Sequence, residues 1–202
     1  MIIVSYQKYL SGENVVKKLY MLFLFITTLA IAIPRIPPKT NVLSYIPHNT
    51  QPIRLHLGCG QSHMTGYINI DFAPSEHTVQ STSGADIFGD ITQLVFSPQS
   101  ISEVRLHHVF EHFNRQHALA LLAIWHYALK IDGILYLETP DFEESIQLLL
   151  NSRHSYADKQ KIMRHIFGSH EAFWAYHYDG WYEEKFRHIL SNLGFDIKEA
   201  GS

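Results

Sequence analysis

The sequence predicts an α/β fold around a mainly parallel sheet, and three observations predict it. Short apolar runs alternate with segments of helical period from about residue 51 onward. The first run ends in a glycine turn, Gly58-Cys59-Gly60, and the second in an acid, Asp71. No internal repeat or low-complexity tract interrupts the alternation.

The elements follow in order. "IRLHL" (53–57) and "YINID" (67–71) read as strands, and "ADIF" (85–88) as a weaker one. "SEVRLHHV" (102–109) is a strand running into a helix, "FEHFNRQHALALLAIWHYALK", with Leu119, Leu122, Trp125, Ala128 and Leu129 on one face. Lys130 and Gly133 mark its stop. "GILYLET" (133–139) is the next strand, bounded by Pro140, and a helix follows over roughly Phe142 to Leu150. The last helix, "YEEKFRHILSNLG", repeats Phe186, Ile189, Leu190 and Leu193 at helical spacing and ends at Gly194. "FDIKEA" closes the chain as a strand.

The first fifty residues read as a separate N-terminal part, with the folded domain over 51–202. Leu19–Ile33 is an uncharged, mostly apolar stretch of 15 residues between Lys17-Lys18 and Arg35. That is short for a spanning helix, which needs about 20 residues. Three readings stay open: a helix packed on the domain or lying on a membrane surface, a membrane anchor, and a signal peptide ending near Ala30-Ile31-Ala32. Pro34, Pro37 and Pro38 then make a stiff linker.

Composition narrows the class. With 202 residues the chain suits one domain plus an extension, and 46% hydrophobic residues is ordinary for a globular protein. Sixteen basic and 19 acidic residues give a net charge of −3, so no nucleic-acid partner is expected from bulk charge. One cysteine, Cys59, rules out an intramolecular disulfide and fits a reducing compartment. The expected location is the cytoplasm, with membrane-surface association through residues 19–33 kept open.

Ligands of open α/β sheets sit outside the carboxyl ends of the strands. Gly58, Cys59 and Gly60 follow the first strand there, and glycine lets a backbone approach a ligand closely. Successive free N–H groups in such a turn can hold a carboxylate. Asp71, ending the second strand, can accept both hydroxyls of a ribose, and Asp90 can accept an adenine amino hydrogen. The plainer reading is a tight turn that Asp71 caps. Only nine residues, Gly58 to Gly66, separate the two strands, whereas a parallel crossover usually takes a dozen or more. A full helix cannot fit, so the turn itself has to replace the helix N-terminus of a longer unit.

The pattern "LHLGCGQSHMTGYINID…ADIFGDI…LHHVFEH…LKIDGILYLETPDFE…GWYEEKFRHILSNLGF" resembles the class I S-adenosylmethionine-dependent methyltransferases. It is closest to the group reading LGCG…G(W/Y)xNxD…HxxEH, and the resemblance covers roughly residues 51–199. It implies a Rossmann-like three-layer α/β/α sandwich and S-adenosyl-L-methionine as cofactor. Gly58, Cys59 and Gly60 would line its methionine part, Asp71 its ribose, Asp90 and Ile91 its adenine, with His107 alongside. The family's LKPGG is "LKIDG" here, so Ile131 and Asp132 replace a proline and a glycine. The family's sheet ends in an antiparallel hairpin. This sequence offers no seventh strand after "FDIKEA", so that strand is missing or supplied by something else.

Methyl transfer needs alignment and, for some acceptors, a base. The candidate cluster is His108, Glu111 and His112, at i, i+3 and i+4 of an expected helix start. Acid–base catalysis by the histidines is one reading. A metal set is another, resembling the ExxEH site of ubiquinone-pathway and small-RNA methyltransferases with His108 in place of the first Glu. A structural cap is the third. The spacing alone assigns no metal ligand. "HIFGSHEAFWAYHYDGWYEEKF" (165–186) is dense in aromatics and sits where family members place acceptor-binding insertions. It would stack on an acceptor or pack as a flap, and His165, His170 and His177 would complete a metal site with Glu111 and His112, although no spacing rule supports that set. The expected reaction is methyl transfer to a small-molecule or glycan-linked acceptor. The alternative is a catalytically degenerate protein of the same fold that binds the cofactor, its demethylated product or a protein partner. The motif expected of amide or adenine-amine methylation is absent after the fourth strand.

Overall fold

The computed structural model describes residues 1–6, 40–41, 52–77 and 79–201. The expected helix over Leu19–Ile33, the proline linker and the boundary at Gln51 lie outside the described residues. Among the described residues, no helix is long and apolar enough to cross a membrane.

Among the described residues, nine strands and five helices follow in chain order. Strand β1 is Ile2–Tyr6, β2 Thr40–Asn41, β3 Arg54–Leu57, β4 Ile68–Asp71 and β5 Ile87–Phe88. Strand β6 is Leu94–Val95, β7 Ile101–His107, β8 Leu129–Glu138 and β9 Phe195–Ala200. Helix α1 is a single turn, Pro74–His77; α2 is Arg115–Ala128, α3 Phe142–Leu150, α4 Tyr156–Phe167 and α5 Glu183–Asn192. Seven strands form one sheet in the order β5-β4-β3-β7-β8-β1-β9. The first five run parallel, and β1 lies antiparallel to both neighbours. This is a Rossmann-like α/β architecture, a mixed sheet with helices packed on it.

The missing seventh strand is supplied by the other end of the chain. Ile2–Tyr6, which the sequence reading left in the N-terminal part, pairs Ile2–Ser5 with Leu137–Ile134 and then with β9. Ile2 and Val4 belong to the core, 3% and 0% exposed. Met1 and Gly201 exchange backbone hydrogen bonds of 2.7 and 3.1 Å beside it. A β-branched run suits this position, hydrogen-bonded to a strand on each side.

Two further expectations change. The helix after β7 does not start at Phe110. A 3₁₀ turn, Phe110–His112, comes first, and Asn114 then caps α2 by accepting the His117 N–H at 3.0 Å. The buried face of α2 is Ala118, Leu121, Leu122, Trp125 and Ala128, while Leu119 is 45% exposed. Helix α4 was not foreseen. Ser155 and Asp158 form a capping box at its start, a signal present in the sequence.

The short crossover between β3 and β4 holds no helix. Asn69, fully buried, does the work of one. Its Oδ1 accepts the Met64 N–H at 2.9 Å and lies 3.0 Å from His56 Nδ1. Its Nδ2 donates to the Met64 and Tyr67 carbonyls and to Asp86 Oδ2. One amide thus satisfies loop groups that a helix would otherwise pair internally.

Candidate functional site

The carboxyl ends of β3, β4 and β7 open into a cleft of about 750 Å³. Gly58, Cys59, Gly60, Asp71, Asp90, Ile91 and His107 all line it, as do His108 and His112. Strand direction explains the convergence, since parallel neighbours deliver their final residues to one edge. The volume is within the range of small-molecule sites.

The glycine turn is built for close approach. Gly58 and Gly60 have φ of +68° and +58°, in the left-handed region. A Cβ on Gly58 would stand 2.3 Å from Val109 Cγ2, so the β7 end packs directly against the bare turn. At Gly60 the nearest atoms are those of Gln80 at 3.6 Å, ordinary contact. The N–H groups of the turn are not free, contrary to expectation. Gly58 and Cys59 donate to the Ile70 carbonyl at 2.8 and 3.4 Å, and Gly60 donates to Asp71 Oδ2 at 2.5 Å. Burial pushes the Cys59 thiol up to about 12, so it is a neutral wall of the cleft.

Asp71 is 7% exposed, and its Oδ1 accepts the Phe72 N–H at 2.6 Å. Two backbone donors therefore fix the carboxylate at the strand end, and each oxygen keeps a second lone pair for a ligand. Asp90 caps the 3₁₀ turn Ile91–Gln93, with Oδ1 accepting from Thr92 N and Oγ1 at 2.8 and 2.7 Å. Its capping and cleft positions coexist, because the other oxygen takes no part in the cap. His107 places Nδ1 3.1 Å from Glu138 Oε2, and the Tyr136 hydroxyl donates to the same oxygen at 2.9 Å. Burial raises the Glu138 carboxyl, but these hydrogen bonds outweigh it and leave the group below its ordinary value.

The cluster expected on one helical face is assembled differently. His108 precedes the 3₁₀ turn with φ +52°, so a bend rather than helical spacing brings it to Glu111, with Nδ1 3.7 Å from Oε1. The Glu111 carboxylate raises the His108 pKa above the ordinary value against the opposing effect of burial. Glu111 is 3% exposed and lines, in place of that cleft, a second cavity of about 570 Å³. Neither of its carboxylate oxygens has a hydrogen-bond partner among the described residues. His177, from the aromatic segment, places Nε2 3.9 Å from Glu111 Oε1, and burial lowers its pKa. Of the other histidines suggested, His165 lines the second cavity, while His170 stacks on Tyr176 at 4.2 Å, apart from the cluster.

The aromatic segment divides between both expected roles. Trp181 is core, 4.7 Å from the rings of Phe110 and Phe186. Phe173, Trp174 and Tyr178 line the cleft. Buried Asp179 anchors the segment through Lys185 Nζ at 2.7 Å and Arg115 Nε at 3.2 Å. Sequence reasoning missed Asn69, for which the family pattern carried a signal; it named His177 beside Glu111 and His112 without a spacing rule to place it.

No protein-family model matches the chain, and no curated protein matches it. Among solved structures it is similar to a SAM-dependent methyltransferase from Archaeoglobus fulgidus, with 15% identity and a TM-score of 0.44. That likeness covers 77% of this chain and 66% of the other, just under two thirds of its length. The chain is also similar to the small RNA methyltransferase HEN1, with 15% identity and a TM-score of 0.41, over 81% of this chain and 23% of that one. Both are likenesses of fold.

Proposed function

We propose that the chain is an S-adenosylmethionine-dependent methyltransferase acting on a small-molecule or glycan-linked acceptor. One observation carries the proposal: seven residues assigned from the sequence pattern to one cofactor line a single cleft. The cofactor, when bound, supplies an electrophilic methyl group on a sulfonium; the protein aligns donor and acceptor.

The residues present fit it. Asp71, held by two N–H groups, offers lone pairs to the ribose hydroxyls. Asp90 and Ile91 border the adenine position, with a free carboxylate oxygen to accept an amino hydrogen. The turn N–H groups already serve Ile70 and Asp71, so the methionine end relies on the side chains of Gln61, Ser62 and Gln80 around Gly60. His108 and His112, on the cleft wall, stand where an acceptor's proton would be taken, and Phe173, Trp174 and Tyr178 provide a surface for a planar or sugar acceptor.

Calorimetric titration with S-adenosylhomocysteine tests the reading. Saturable binding in the micromolar range is expected, and no heat at high micromolar ligand would overturn it. Binding without methyl transfer to any acceptor class would favour the degenerate alternative.

A further inference from the structure

We propose that the second cavity receives the acceptor, and that the acceptor is a sugar carrying an acidic group, a carboxylate or a phosphate. The inference rests on the methyltransferase reading of the first cleft and narrows its acceptor.

Position is the first argument. His108, His112 and Trp174 line both cavities, so the two meet at these side chains. A cofactor in the larger cleft leaves the smaller space, of about 570 Å³, as the approach to the transferred group. That volume is within the range of small-molecule sites.

The charges on the wall are the second argument. Helix α4 contributes Lys161 and Arg164, three residues apart on one exposed face. Arg164 is held by a fork on Glu171, its Nη1 and Nη2 donating at 3.1 and 2.9 Å. That pair largely neutralises the guanidinium, so the Lys161 ammonium is the principal charge offered to an anion. Basic residues in the last turn of a helix offset its dipole, but Lys161 lies more than one turn before the end at Phe167, beyond the reach of that effect.

The other charged member of the wall is an acid. Glu111 is 3% exposed, and neither of its oxygens is hydrogen-bonded among the described residues. His108 Nδ1 and His177 Nε2 stand 3.7 and 3.9 Å from Oε1, both beyond hydrogen-bond length. A buried carboxylate without donors is costly, and a ligand hydroxyl supplies one. His177 links the two ends of the wall, since its Nδ1 lies 2.8 Å from the His165 carbonyl of α4 while Nε2 approaches Glu111. A carbonyl only accepts, so this ring carries its proton on Nδ1 and keeps Nε2 to accept from a second hydroxyl. Trp174, at the junction, supplies a flat surface for the C–H groups of a sugar ring. A cationic acceptor would pair with Glu111 but be repelled by Lys161, and a bare anion would pair with Lys161 but meet Glu111. A hydroxylated acid satisfies both.

Backbone amide shifts of the full chain, recorded with S-adenosylhomocysteine present, test the proposal. The probes are glucuronate and glucose 6-phosphate, with glucose, acetate and inorganic phosphate as halves of their chemistry. At least one acid sugar should shift Arg164, His165 and His177 saturably, and the tighter of the two distinguishes carboxylate from phosphate. Glucose, acetate and inorganic phosphate should each bind about tenfold more weakly or worse, the scale of one hydrogen bond to a charged group. Lys161→Ala should bring the acid sugar down to the level of glucose, and Lys198→Ala, on β9, should leave its binding unchanged. Equal binding of glucose, equal binding of acetate or inorganic phosphate, an unaffected Lys161→Ala, or no saturable shift at about 10 mM of either acid sugar would overturn it. Lys161→Ala should bind S-adenosylhomocysteine as the parent does. Absence of acid-sugar binding while that analogue still binds is failure of this inference alone, whereas absence of the analogue's own binding is failure of the reading beneath it.

Discussion

Gly58 and Gly60 show how two glycines of one turn answer to different demands. Both have positive φ, which costs a substituted residue about 1–2 kcal/mol. At Gly58 a methyl group also meets Val109 at 2.3 Å. Gly58→Ala should therefore lose about 2–4 kcal/mol of stability, and Gly60→Ala only about 1–2, in urea unfolding. Equal losses would mean that Val109 yields and the close approach has no packing role. Asp71, at the end of β4, lines the same cleft as the turn. Asp71→Ala should weaken S-adenosylhomocysteine by about 1.5–3 kcal/mol, as for hydrogen bonds to a charged group, measured by calorimetry. An unchanged affinity would remove it from the ribose role. These positions were legible because strand-end residues recur at fixed places in a parallel sheet. His177 could be named beside Glu111 and His112 but not placed: it lies 65 positions after His112, and only the folded loop brings the rings together.

Among the elements, the compressed crossover between β3 and β4 is the most instructive. Its brevity was readable by counting; its solution, Asn69, was not read, because a buried amide inside "YINID" looks like one polar position in a strand. Asn69→Ala removes five side-chain hydrogen-bonding contacts and strands several partners, so a loss of about 2–4 kcal/mol is expected in urea unfolding. A loss under about 1 kcal/mol would show that water replaces the amide and that the crossover holds without it. Strand β1 shows the complementary limit. "IIVSY" is a plain β-forming run, yet nothing local says that its partners are β8 and β9, residues far along the chain. Helix α4 differs again, since Ser155 and Asp158 announced it within one turn.

For the whole molecule, the fold behaves as a set of buried neutral histidines whose protonation opposes folding. Burial lowers the pKa of His56, His126 and His177, partly offset at His56 by Asn69 and at His177 by Glu111 and a backbone hydrogen bond. The unfolded chain therefore binds more protons at these sites below about pH 6.5, and stability falls as pH falls. His108, raised by Glu111, works in the opposite direction, contributing below its unfolded pKa and losing that contribution as pH rises. The protein should thus lose unfolding free energy between pH 7 and 5, seen in urea titrations. Constant or rising stability across that window would contradict the burial of these rings.

At the same scale, the central claim is that the carboxyl edge of the sheet, and no other cavity, holds the cofactor. Backbone amide NMR shifts during titration with S-adenosylhomocysteine test it most directly. The account predicts saturable shifts at Gly58, Gly60, Asp71, Asp90 and His107, with none over Ile2–Tyr6 or β9. Shifts confined to the second cavity, or none at saturating ligand, would contradict it.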